Sequence, residues 1–192
     1  MKNFFSGLML FVFLSGFVSI FAQGEIEVQK KMMEYMTPGD YHKRMAKAVG
    51  DWTAKSQFWM APDTQSMEID GTVKAEMILG GRYLQMKYSS VIMGMPFEGI
   101  STGGYDNGRK VFFNIWVDNM GTGLMSSEGV YDENTKQTVY TGMVFDPALG
   151  KEVRFREAMQ MVDDTHMVLE RYFPNSKDGR EFKAMRVEYV KK

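Results

Sequence analysis

The stretch EVRFREAMQMVDDTHMVLERYF, residues 152–173, decides the fold. Two runs that alternate apolar with polar residues flank Asp163, Asp164 and Thr165, a cluster of turn-forming types. If those three residues make the connection, Met161 faces Met167, Met159 faces Leu169, Glu157 faces Arg171 and Phe155 faces Phe173. Apolar meets apolar and acid meets base, as an antiparallel hairpin requires. A connection over Pro147 to Gly150 extends the register one strand back: Asp146 pairs with Lys151, Val144 with Val153 and Tyr140 with Glu157. Tyr140, Glu157 and Arg171 therefore meet on an otherwise apolar face. Two chemistries suit such a group: a buried ion pair in which each charge compensates the other, or a polar anchor within an apolar ligand pocket.

The same period runs through the chain from Asp51 onward. Strands are expected near 51–60, 66–79, 82–93, 97–104, 110–118, 122–131, 137–146, 151–162, 166–173 and 180–190, separated by turn residues such as Ala61-Pro62-Asp63, Gly80-Gly81 and Asp106-Asn107-Gly108. About ten successive hairpins with no helix between them predict an all-β, antiparallel up-and-down sheet closed into a barrel, which removes exposed edges. One strand exceeds that pattern. In Val111 to Asp118, Val111, Phe113, Ile115 and Val117 form one apolar face while Phe112 and Trp116 stand on the other, so a helix or a partner subunit is expected to cover the second face.

Upstream the period is helical. Val28, Met32, Tyr35 and Met36 share a stripe over 25–36; a second helix is marked by Thr37 as cap, Pro38 in the first turn, Asp40 near its positive end and Gly50 as its stop. Its stripe of Tyr41, Met45, Ala48 and Val49 predicts that it lies against the core or closes one end of it. Residues 1–22 read as a signal peptide: Lys2, an apolar run from Phe4 to Phe21, then Ala22 before the cut. The expected organisation is signal peptide 1–22, helical segment 23–50 and barrel domain 51–192, with export to the periplasm or the extracellular space and no transmembrane segment after processing.

The formal charge of −1 becomes −2 once Lys2 is removed, and Lys and Arg are scattered, which excludes nucleic acid as a partner. Cysteine is absent, excluding disulfides, thiol catalysis and thiolate metal sites. The 19 methionines are dispersed at alternating strand positions rather than gathered as copper ligands, so they read as adaptable filling of an apolar wall. His42 and His166 lack metal-ligand spacing and read as surface histidines, and no metal or cofactor is expected. Gly99-Ile100-Ser101-Thr102-Gly103 has the letters of a hydrolase nucleophile elbow, but a turn and a strand follow it where that motif needs a helix.

Gly50-Asp51-Trp52, at the helix-to-strand junction, resembles the signature that opens the first strand of lipocalin-like (calycin) barrels. The resemblance implies that Trp52 closes the barrel base beneath an arginine from a late strand, for which Arg171 and Arg186 are the candidates. The strand count is similar to that of the fatty-acid-binding and nitrobindin-like branches, the latter implying a haem-type role for His166. A longer similarity covers roughly residues 35 to 190. Gly80-Gly81-Arg82-Tyr83-Leu84, Pro96-Phe97-Glu98-Gly99, Gly104-Tyr105-Asp106-Asn107 and Trp116-Val117-Asp118-Asn119-Met120 resemble a bacterial family known as domain of unknown function 1579. That family implies a barrel and brings no substrate.

The leading functional expectation is a binding module taking a small, mainly apolar ligand at Tyr140, Glu157 and Arg171. The alternative is a structural or interaction protein of the cell envelope, forming a homodimer through Phe112 and Trp116. A small-molecule enzyme using Glu157 or Asp118 as acid or base ranks third, with no motif behind it.

Overall fold

The computed structural model describes residues 25–175 and 178–192, so the signal-peptide reading lies outside the described residues. The chain divides into two units. The first carries helix α1, residues 25–36, whose surface bears the i,i+4 pairs Glu27–Lys31 (3.4 Å) and Lys30–Glu34 (4.0 Å). The second, Pro38–Lys192, holds a short helix α2 (Asp40–Ala46) and ten strands: β1 Gly50–Phe58, β2 Met67–Ile78, β3 Tyr83–Ile92, β4 Met95–Asp106, β5 Val111–Asp118, β6 Met125–Asp132, β7 Gln137–Asp146, β8 Lys151–Asp163, β9 His166–Pro174 and β10 Glu181–Lys191. No helix among the described residues is long and apolar enough to cross a membrane.

Each strand pairs antiparallel with its sequence neighbours, and β1 pairs with β10, so the meander closes into a barrel with no free edge. Alternation sets the inside. Trp52, Ala54, Val73, Ala75, Met86, Met167, Val187 and Tyr189 form the buried cluster, with Ala48 from the turn after α2 packed into it. Gly50 has φ +139°, a conformation open to glycine, and a side chain there would strike Lys191 Cε at 2.7 Å. The first glycine of the Gly-x-Trp sequence thus turns the chain from helix to strand and leaves room for Lys191 above the Trp52 ring.

The register of the decisive hairpin is as the alternation predicts: Glu157 opposes Arg171, Met159 opposes Leu169 and Met161 opposes Met167. The connection itself is different. Asp163 pairs with His166, leaving a two-residue turn at Asp164-Thr165, and the count is restored by a bulge at Val162. Asp163 Oδ1 accepts both the backbone N–H and the hydroxyl of Thr165 at 2.7 Å, which favours the tighter turn. On the β7–β8 side, Tyr140 opposes Glu157, Val144 opposes Val153 and Asp146 opposes Lys151, as expected.

Four other expectations are corrected. Thr37 does not cap α2; its hydroxyl donates to the Met33 carbonyl at 2.6 Å, and the cap lies at Gly39, whose N–H donates to His42 Nδ1 at 3.0 Å. His42 is consequently buried rather than on the surface, and burial lowers its pKa, favouring the neutral ring that can accept this bond. Phe112 and Trp116 form no outer interface: Phe112 is buried beneath Tyr41 of α2, at a ring distance of 5.1 Å, and both residues line the barrel interior. The outward row of β5 is the other one, with Ile115 and Val117 exposed.

Arg186 is not at the barrel base. It lies on the outer wall, where its guanidinium donates to Glu170 at 2.7 Å and Glu188 at 2.8 Å, and Lys191 supplies the cation near Trp52, 5.2 Å from the ring. Glu170 is the hub of this outer network, accepting from Tyr172 (2.5 Å), Lys183 (2.9 Å) and Arg186. Burial alone would raise its carboxyl, but these three donors hold it down at about 2, against an ordinary value of 4.5. A carboxyl depressed in the folded state stabilises above its unfolded pKa and loses that contribution as pH falls. Glu170→Gln should therefore cost roughly 2 kcal/mol at pH 7, after allowance for solvent screening, and the gap to wild type should close between pH 4.5 and 2. Urea midpoints across that range measure it; a gap independent of pH would mean that the network does not act through Glu170's charge.

A candidate binding site inside the barrel

The barrel encloses a cavity of about 550 Å³, within the range of small-molecule sites. Its wall is made by inward side chains of the strands, among them Leu84, Met86, Met159, Met161, Leu169 and Met185, and at one end by Arg44, Met45 and Ala48 of α2 and its C-terminal turn. The helix is held across that end by aromatic packing. Tyr41 lies 4.4 Å from the Tyr105 ring, and Arg44 sits 3.6 Å above the Tyr131 ring while donating to its hydroxyl at 2.7 Å. The expectation that α2 closes an end is met here. The methionines divide: Met86, Met125 and Met167 are buried in the wall, whereas Met60 and Met93, 87% and 85% accessible, stand on the connections at the opposite end.

Tyr140, Glu157 and Arg171 all line the cavity. Arg171 Nε donates to Glu157 Oε1 at 2.6 Å and its Nη2 lies 2.5 Å from the same oxygen. Glu157 is 2% exposed, so the carboxylate has left bulk water and depends on its partner. The Arg171 guanidinium also lies 5.4 Å from the Phe155 ring, a weak cation–π contact. Gly142, opposite Phe155, makes this packing possible, because a Cβ there would come within 2.6 Å of that ring.

Two further tyrosines belong to the group and were not singled out from the sequence. Tyr88 and Tyr189 share a hydroxyl–hydroxyl hydrogen bond of 2.8 Å, and Tyr88 also points at Met86 Sδ, 4.0 Å away. Burial pushes the Tyr88 phenol up to about 12, the bond with Tyr189 works against this, and the Glu157 charge adds to it. Tyr189 and Tyr140 are raised as well, first by burial; the Glu157 charge adds to both. All three phenols therefore stay protonated at any ordinary pH. The signal for Tyr88 and Tyr189 was their inward parity on β3 and β10; β10 pairs directly with β9, but β3 comes to face β8, β9 and β10 only in the closed barrel.

The family-motif residues do other work. Gly81, with φ +79°, and Asp106, whose Oδ1 accepts the Gly108 and Arg109 N–H groups, shape the turns beside α2. Arg82 Nη1 donates to the Leu79 carbonyl in the first of these turns. Tyr105 packs between Tyr41 and Phe112. Trp116 Nε1 donates to Asp118 Oδ2 at 2.6 Å, and Asp118 Oδ1 accepts the Met120 N–H, so both Asp118 oxygens are engaged in holding the indole and the loop. Ser101, in the unbroken strand β4, donates to Asn114 Oδ1 at 2.6 Å, and nothing of a nucleophile elbow is present there. His166 is half-exposed beside Asp163 on the β8–β9 turn and is not among the cavity-lining residues.

Comparison with known proteins agrees with this architecture. Rv2717c from M. tuberculosis superposes with a TM-score of 0.59 at 11% identity, over 81% of this chain and 99% of that one. An S-type phycobiliprotein lyase from Guillardia theta superposes with a TM-score of 0.55 at 8% identity, over 84% of this chain and 96% of that one. At such identities the likeness concerns the fold alone. No curated protein sequence matches the chain. A family model does match, over residues 37–191, from α2 through the last strand. The chain belongs to the family described as protein of unknown function DUF1579.

Proposed function

We propose that this protein is an exported binding module of the lipocalin-like kind, which takes a small, mainly apolar molecule into the barrel and holds its polar end at Arg171, Glu157 and Tyr140. The observation that carries this reading is the cavity itself: about 550 Å³ of space with a largely apolar wall, in which Tyr140, Glu157 and Arg171 stand together. A barrel that needed its interior only for stability would fill it with side chains. Export rests on the signal-peptide pattern of residues 1–22, and kinship with lipocalin-like barrels rests on Gly50 and Trp52 opening β1 at a buried base.

The neutral apolar fluorophore N-phenyl-1-naphthylamine serves as probe. It should bind with one-to-one stoichiometry, and Ser56→Trp, which places an indole in the cavity wall, should weaken binding at least tenfold with the circular dichroism spectrum unchanged. Absence of binding to the wild type, or binding indifferent to Ser56→Trp, would refute an interior site.

A further inference from the structure

We infer that the interior site selects an uncharged apolar molecule ending in a hydroxyl or amide group, and discriminates against a carboxylate. The inference rests on the binding reading above and turns on which polar atoms of the cluster are already committed. Arg171 spends Nε and Nη2 on Glu157 Oε1, so its positive charge is compensated at contact distance by a carboxylate that is itself almost fully buried. Tyr88 and Tyr189 satisfy each other. Within this cluster the atoms left toward the cavity are the second carboxylate oxygen of Glu157, an acceptor; the Tyr140 hydroxyl, a donor and acceptor; and the Arg171 Nη1 group, a donor.

The formal charge of the pair is zero. A ligand carboxylate bound at Arg171 would bring a second anion beside Glu157, whose own carboxylate has almost no access to water, and like charges a few ångströms apart repel there. A hydroxyl has both functions the site lacks: its O–H donates to Glu157 Oε2 and its oxygen accepts from Tyr140 or Arg171 Nη1. A primary amide does the same with its N–H and its carbonyl. Discrimination arises because the wrong group meets a charge it cannot satisfy.

Displacement of N-phenyl-1-naphthylamine by 1-dodecanol and by dodecanoate, at pH 8 where the acid is ionised, tests this on the full mature chain. Wild type should bind the alcohol at least tenfold more tightly. Glu157→Gln leaves Arg171 uncompensated, so the alcohol-to-carboxylate affinity ratio should fall at least tenfold, to parity or beyond. Tyr140→Phe should weaken the alcohol severalfold, and it keeps the ion pair if Glu157→Gln folds poorly. A wild type that prefers dodecanoate, or a ratio unmoved in Glu157→Gln, overturns the selectivity while leaving interior binding intact. Failure of the fluorophore to bind at all removes both.

Discussion

Trp52→Ala should destabilise the folded chain by about 3–5 kcal/mol, the range for truncating a large buried aromatic side chain. The ring has 0% exposure and lies among Ala54, Val73, Val187 and Tyr189, at the junction where β1 meets β10 and the barrel closes. Its Nε1–H donates to the Ala48 carbonyl at 2.9 Å, which ties the C-terminal turn of α2 to the first strand. Replacement by alanine leaves a void, strands that carbonyl and removes the ring under Lys191. Trp52→Phe separates these effects: it keeps most of the apolar volume and loses the hydrogen bond, so about 1–3 kcal/mol is expected from the unsatisfied carbonyl. Urea unfolding with an unchanged m-value measures both. If Trp52→Ala shifts the midpoint by less than about 1 kcal/mol, the barrel base does not depend on this residue.

How much of this was legible in the sequence depended on whether a feature was local. Strand positions and the pairings across β7, β8 and β9 follow from period two and short connections, so Glu157, Arg171 and Tyr140 could be brought together before any coordinates. The bulge at Val162 could not, because a three-residue loop and a two-residue turn with a bulge give the same register further along the strands. Arg186 shows a different failure. Its parity with Glu188, opposite that of Met185, Val187 and Tyr189, already placed it on the outer wall, and the analogy with an arginine above the base tryptophan overrode the alternation. For Phe112 and Trp116 the expected cover was a helix or a partner subunit: α2 covers Phe112 through Tyr41, and the subunit interface fails because both residues face inward as cavity wall. Closure across β1 and β10 is the long-range step, and with it came Tyr88, Tyr189 and the size of the cavity.

Arg171→Met should cost about 3–5 kcal/mol, because it leaves the Glu157 carboxylate buried without its cation. The methionine occupies much of the arginine's volume, so the loss reports charge more than packing. Combining it with Glu157→Leu removes the stranded carboxylate, and the double variant should regain most of the lost stability; a coupling of more than about 2 kcal/mol is expected from the cycle of single and double variants. Arg171 retains partial exposure, at 20% of its side chain, which places the expected loss of Glu157→Leu alone below that of Arg171→Met: a guanidinium near the cavity can be hydrated, a carboxylate at 3% exposure cannot. Fluorophore binding then separates structure from recognition in one protein. If the pair serves only to hold β8 against β9, the double variant should recover stability and treat 1-dodecanol as wild type does. If the pair holds the ligand's polar end, stability should return while the affinity for 1-dodecanol stays at least tenfold reduced and the binding of the neutral fluorophore, which lacks a hydroxyl, is kept. Additive single-variant losses, with no recovery in the double variant, would show that Glu157 and Arg171 do not depend on one another.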